Sequence, residues 1–164
     1  MHPRTARTTP ILVTTLIVLL AGCSGSPPAS LGPVAGGLAP CPTTPNCVHT
    51  GAGEPRGVPE FIVAPRWREA PSEDLIHRVS EAVASLPRTR IVEETDRYLR
   101  AEATSRIFRF VDDVEVHLTA EGDRLVVRSA SRLGRSDLGV NLRRVEQLHD
   151  ILLQDGVVTN PRHP

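Results

Sequence analysis

The residues best suited to chemistry lie in one stretch, Phe108 to Glu146, where Asp112 and Asp113 precede an arginine- and serine-rich run. Residues 107–119 alternate in polarity. Phe108, Phe110, Asp112, Val114, Val116 and Leu118 share the face expected to meet a core, and Arg109, Asp113, Glu115 and His117 share the other. A carboxylate at a core position needs a charged or hydrogen-bonding partner. The candidates are Arg128 and Arg132, or the hydroxyls of Ser129 and Ser131, on the strand expected next. Three chemistries are compatible with these residue types. One is a structural network, with Asp112 accepting from an arginine while Asp137 and Asn141 fasten a turn, and it needs no ligand. A second is an anion site, in which Arg128, Arg132, Arg135 and Arg144 and the free N–H groups of a helix N-terminus hold a phosphate or carboxylate. The third is a divalent-cation site from Asp112, Asp113, Glu115 and Asp137, weakened because adjacent strand residues point to opposite faces.

Catalysis has less support. There is no Gly-x-Ser-x-Gly elbow, His-Glu-x-x-His helix or phosphate loop. His49, His77, His117 and His149 are scattered, with His77 and His149 expected on solvent-facing helix surfaces. A Ser129 or Ser131 nucleophile would lack a base. No catalytic residue, metal or cofactor is assigned.

The elements that would position these residues follow from periodicity. Residues 58–64 suit an edge strand. Ser72 can cap a helix with the stripe Leu75, Ile76, Val79, Ala82, Val83 and Leu86, ended by Pro87. Strands are expected over 90–94, 97–104, 107–119 and 124–132, then a helix capped by Ser136 or Asp137. Its buried stripe is Leu138, Leu142, Val145, Leu148 and Leu152. The expected fold is α+β, helix-β-β-β-β-helix: an antiparallel sheet of about four strands with two helices on one face.

The N-terminus reads as an address. Arg4 and Arg7 precede the apolar run Ile11–Leu20, too short to span a bilayer, which ends Leu20-Ala21-Gly22-Cys23. This resembles a bacterial lipobox, which implies a signal peptide over 1–22 and fatty acyl chains such as palmitate on Cys23. It also implies a domain anchored at the membrane on the extracytoplasmic face. Ser24, rather than Asp, points to an outer membrane where the organism has one. Residues 23–40, rich in Gly, Pro, Ala and Ser, read as a flexible tether. The folded domain is expected over 41–156 and a tail over 157–164. With Cys23 lipidated, Cys41 and Cys47 are the remaining thiols of an exported chain, and a disulfide is the default. The alternative, a metal site of Cys41, Cys47 and His49, has unusual spacing.

All 19 basic residues are Arg, matched by 19 acidic ones, and aromatics are 3%. That balance argues against a nucleic-acid partner.

Three segments carry a family resemblance: Cys41 to Val48 (CPTTPNCV), Phe110 to Glu115 (FVDDVE) and Arg128 to Glu146 (RSASRLGRSDLGVNLRRVE). They are similar to the DUF1499 family of bacterial and plastid proteins, whose function is unknown. Arg135, Leu142 and His49 stand where relatives often carry an aromatic, a basic residue and Ser, which would alter a pocket built there. The resemblance implies no activity. The expected function is a non-catalytic binding or assembly module, anchored to the membrane by lipid and serving an envelope protein partner. The alternative is a small-anion-binding or hydrolytic domain centred on Arg128, Arg132 and Asp112.

Overall fold

The structure, a computed structural model, describes residues 25–35, 37–51 and 58–160. The expected signal peptide over 1–22 and Cys23 lie outside the described residues. In chain order the elements are β1 (Pro33–Val34), β2 (Gly37–Leu38), β3 (Cys47–His49), β4 (Phe61–Val63), α1 (Pro65–Arg68), α2 (Ser72–Ser85), β5 (Thr89–Glu94), β6 (Tyr98–Thr104), β7 (Val111–Leu118), β8 (Arg124–Ser131), α3 (Val140–Gln154) and β9 (Val158–Thr159).

Strands β5 to β8 form the consecutive antiparallel run expected from periodicity. The expected α+β fold, helix-β-β-β-β-helix with about four strands, is nevertheless incorrect, for the described residues are mostly β. The sheet is a seven-stranded antiparallel one, ordered β5-β6-β7-β8-β4-β9 with β3 also on β8; β1 and β2 make a separate two-stranded sheet, and the described residues hold three helices. The missed strands are two or three residues long, too short for alternation to register. β4 falls within the edge strand expected over 58–64, and it and β3 pair with the outer edge of β8, which would otherwise leave its backbone groups unpaired. β3 covers one end of that edge, Ser129 facing Val48, and β4 covers the other, Leu125 facing Phe61.

Both long helices pack on one face, as expected. Leu75, Ile76, Val79 and Val83 of α2 and Val145, Leu148 and Leu152 of α3 meet Val114, Val116, Leu125 and Val127 of the sheet. Four local expectations fail. Pro71, not Ser72, occupies the position before α2. Leu138 precedes α3 and is 85% exposed, and Leu142 is only half-buried. Phe108 and Phe110 are exposed because β7 starts at Val111; before it the chain turns, with Arg109 at φ 55° and the Phe110 N–H donating to Ser105 Oγ at 2.9 Å. His149 is buried, its ring edge-on to Phe61 at 5.1 Å between centroids. The expected tail from residue 157 is also part of the core. Val157 and Val158 are buried, and β9 pairs with β4.

The second face holds the largest departure. The segment read as a flexible tether docks here. Leu38 is buried, β2 packs against β7 and β8, and the Gly32 N–H donates to Glu115 Oε1 at 2.8 Å. Its composition offers few apolar side chains, so the docking depends on backbone groups reaching charges on the sheet. Cys41 and Cys47 are joined in a disulfide that leads this segment into β3.

Deleting residues 24–39 removes a buried Leu, at about 1.5–3 kcal/mol, and one donor to a buried carboxylate, at about 1–3 kcal/mol. The thermal midpoint of the domain is therefore expected to fall by on the order of 10 °C. A mere tether would leave it unchanged when measured by circular dichroism.

Candidate functional site

Two polar clusters flank the β7–β8 pair, one on each face. Adjacent residues of β7 supply them alternately, so Asp112 belongs to the helix face and Asp113 and Glu115 to the other.

On the helix face Asp112 pairs with Arg144 of α3, Nη2 to Oδ2 at 2.8 Å. Arg144 Nη1 also donates to Ser129 Oγ at 3.0 Å and to Asn141 Oδ1. Asn141, wholly buried, is the hub of the cluster. Its Oδ1 accepts from Ser129 Oγ at 2.6 Å, and its Nδ2 donates to Ser131 Oγ and to the Asn46 carbonyl, both at 3.1 Å. Asp137 accepts from the Gly139 N–H at 3.0 Å and the Asn141 N–H at 2.6 Å. It thus supplies the capping oxygen while Gly139, in the left-handed region, takes the N-cap position. The expected network of Asp112, Arg, Asn141 and Asp137 is present, but its arginine is Arg144. Arg128 and Arg132 lie on the opposite face.

There, carboxylates meet arginines across strands. Glu115 is 0% exposed and sits directly opposite Arg128, whose Nη1 donates to Oε2 at 2.8 Å; Tyr98 Oη and the Gly32 N–H donate to Oε1. Burial first, and then the nearby Glu115 charge, hold the Tyr98 hydroxyl far above the ordinary phenol range. Glu102 and Asp113 face each other across β6 and β7, like charges that would repel. Arg132 bridges them: Nε and Nη2 each reach Asp113 at 2.8 Å, and Nη2 reaches Glu102 at 2.6 Å. Those bonds, with Asp113 the largest influence, raise the Arg132 pKa well above its ordinary value. The Arg132 bond holds the Glu102 carboxyl below its usual range, against the opposing effect of burial. Arg100 adds weaker pairs to Asp113 at 3.7 Å and Glu102 at 3.8 Å.

A cavity of about 430 Å³ opens between residues 28–42 and this face. Arg128, Arg132 and Asp113 line it beside Ser30, Pro40, Cys41, Asn46 and Ser131. Arg128 Nε is buried without a hydrogen-bond partner.

The geometry separates the residues grouped from sequence. Asp112 is not beside Arg128 or Arg132. The four arginines of the anion reading do not converge, since Arg144 is committed to the helix face and Arg135 is exposed on a loop. The α3 N-terminus is already occupied by Asp137. Asp112 and Asp113 face opposite ways, and no group of three His, Cys, Asp or Glu among the described residues is arranged to hold a metal. Tyr98, Arg100, Glu102 and Asn46 were not anticipated. Glu115 was placed on the solvated face, yet the turn near Gly122 sets a register that puts it opposite Arg128, so that pair could have been read from the hairpin.

The chain is thus an antiparallel-sheet domain with charged clusters on both faces of its central hairpin. A family model, "Protein of unknown function (DUF1499)", matches residues 37–152, more than half of the chain, and the chain belongs to that family. The match begins at β2, so the docked strand is part of the family domain. No curated protein matches it.

Asp112→Asn and Arg144→Met are each expected to cost about 3–5 kcal/mol, because each strands a buried charge or its partner. In a double-mutant cycle by urea unfolding the two are expected to be strongly non-additive, whereas Asp112→Asn combined with Arg128→Met is additive. Coupling between Asp112 and Arg128 would contradict the two-face assignment.

His117 is also informative. Burial first, and the Arg97 charge second, lower its pKa. The unfolded chain takes up a proton at His117 from about pH 6.5 downward, whereas the folded chain resists it. Stability is therefore lost as pH falls below that value. His117→Gln is expected to flatten the midpoint-versus-pH curve between about pH 7 and 5.5.

Proposed function

We propose that this protein is a membrane-anchored envelope lipoprotein whose folded domain is a non-catalytic binding or assembly module. The observation that carries the non-catalytic part is the commitment of the reactive groups. Ser129 Oγ has only an amide and a guanidinium as neighbours, and neither is a base. Asp112, Asp137, Asn141 and Arg132 are all bonded within the fold. The anchoring part rests on the Leu20–Cys23 sequence, and a docked segment beginning two residues later supports it by bringing the domain close to that cysteine. An envelope protein partner is the expected client.

Intact mass of protein extracted from membranes is expected to show acyl chains on Cys23, with Cys23→Ser losing both the added mass and the membrane fraction. A chain without acyl mass refutes the anchoring. Crosslinking in cells that captures no protein refutes the assembly role.

A second reading is favoured by the cavity and the two arginines, Arg128 and Arg132, that line it: a small ligand with an acceptor oxygen, such as a carboxylate or phosphate. Because Arg128 and Arg132 are balanced by Glu115, Asp113 and Glu102, the site is not a strong anion trap. Inorganic phosphate or acetate at about 100 times its Kd would add about 2.7 kcal/mol of stability. That gain should disappear in Ser30→Phe, which fills the cavity; no stabilisation by either probe eliminates this reading.

A further inference from the structure

Seven large apolar side chains are exposed among the described residues, and six of them gather at one end of the sheet. They come from two loops. Ile107, Phe108 and Phe110 belong to the β6–β7 loop; Leu133 and Leu138 belong to the connection from β8 to α3, and Val140 is the first residue of α3. The two loops lie at the same end because Thr104 pairs with Val111 and Asp112 with Ser131. Phe108 and Phe110 stack at 5.5 Å, and Phe110, Leu133 and Val140 share the lining of one small cavity. Phe108 at 68% and Ile107 at 79% exposure would be costly to leave in water on a free surface. Each loop contains a non-glycine residue in the left-handed region, Arg109 and Leu138, a cost that the surrounding contacts must sustain.

The exposed charges of these two loops have one sign. Every charged residue in 105–110 and 133–136 is arginine: Arg106, Arg109 and Arg135, all exposed. Arg88 adds another, its Nε bonded to the Thr104 carbonyl. The nearby acids are already neutralised, Asp112 by Arg144 and Asp137 by the α3 N-terminus. Apolar side chains set among arginines match the boundary between acyl chains and anionic headgroups.

The chain itself leads to the same place. The carbonyl of Gly25 accepts from Arg132 Nη1 at 3.3 Å. Gly25 sits so close to the rim that a Cβ there would meet Leu133 Cγ at 3.3 Å. Cys23 is two residues earlier, a reach of at most about 7 Å. An acyl anchor on Cys23 would therefore enter the bilayer beside Leu133.

We propose that this rim rests in the membrane surface, with Ile107, Phe108, Phe110, Leu133 and Leu138 in the acyl boundary and Arg106, Arg109 and Arg135 among anionic headgroups. The domain then lies directly on the bilayer in one orientation. The inference rests on the anchoring reading and adds the orientation to it.

The test separates the two. The chain from Cys23 onward, with Cys41 and Cys47 oxidised, has Cys23 as its one free thiol, which couples to a maleimide-headgroup lipid in phosphatidylcholine–phosphatidylglycerol vesicles. Native acylation is thereby not required. Acyl-brominated lipids quench only tryptophans that reach the acyl region. In Trp67→Phe/Phe108→Trp the indole is expected to be strongly quenched, and more so with phosphatidylglycerol present; wild-type Trp67, at the other end of the molecule, is not. Should the Trp67→Phe background fail to fold, the difference between wild type and Phe108→Trp reads the same contact. An unquenched Trp at 108 on tethered protein overturns the proposal, and is the outcome expected if a protein partner or a second copy covers the rim. Equal quenching at both positions overturns it too, because the domain would then have no preferred orientation. Absence of acyl chains on the native protein, by contrast, defeats the anchoring reading while leaving the quenching result to decide the orientation.

Discussion

The structure depends on keeping buried charges in pairs on both faces of one strand. Asp112, Asp113 and Glu115 are all buried on β7, and a carboxylate removed from water without a partner costs several kcal/mol. Each constrains a different element. Asp112 needs Arg144, which sets how α3 lies on the sheet. Glu115 needs Arg128, Tyr98 and the Gly32 N–H, which draws the N-terminal segment over the second face. Asp113 and Glu102 repel each other unless Arg132 stands between them, which ties β6, β7 and β8 together.

This arrangement explains why every basic side chain being arginine matters. Arg132 contacts two carboxylates at once, with two parallel bonds to Asp113. A lysine ammonium lacks that fork and would satisfy one of them poorly. Arg144 likewise reaches a carboxylate, a hydroxyl and an amide from one planar group. The same property makes these residues look like a ligand site in sequence, since arginines beside acids and serines serve either purpose. Here the acids take them first, and the groups left over are the Arg128 Nε and the exposed arginines of the apolar rim.

The rim and the clusters divide the molecule between two tasks. The interior polar groups hold the hairpin, the helix and the docked segment in one geometry. Ile107, Phe108, Phe110, Leu133 and Leu138 take no part in that work and carry apolar surface outward at the end where Gly25 meets Leu133. A domain lying on the membrane would present its opposite end to whatever it binds.

Much of the architecture was determined by local pattern. Period-two alternation over 98–104, 111–118 and 124–131 and the helical stripe over 75–86 are properties of neighbouring residues, and so the central hairpins and both long helices were readable. So were the pairing of Cys41 with Cys47 and the family, whose motifs are contiguous. Tertiary structure decided the rest, for three physical reasons. Strands of two or three residues are too short to show alternation and are fixed by the neighbour each pairs with, β8 for β3 and β4, and β4 for β9. The segment at 25–38 has too few apolar residues to signal order and is held by backbone contacts to charges distant in sequence. The partner of Asp112 was misassigned because alternation gives a face but not which residue of a helix, more than twenty positions later, will arrive there. The sequence by itself determined which groups must be paired; only the fold decided with whom, because pairing energies depend on a few ångströms that no pattern of residue types encodes.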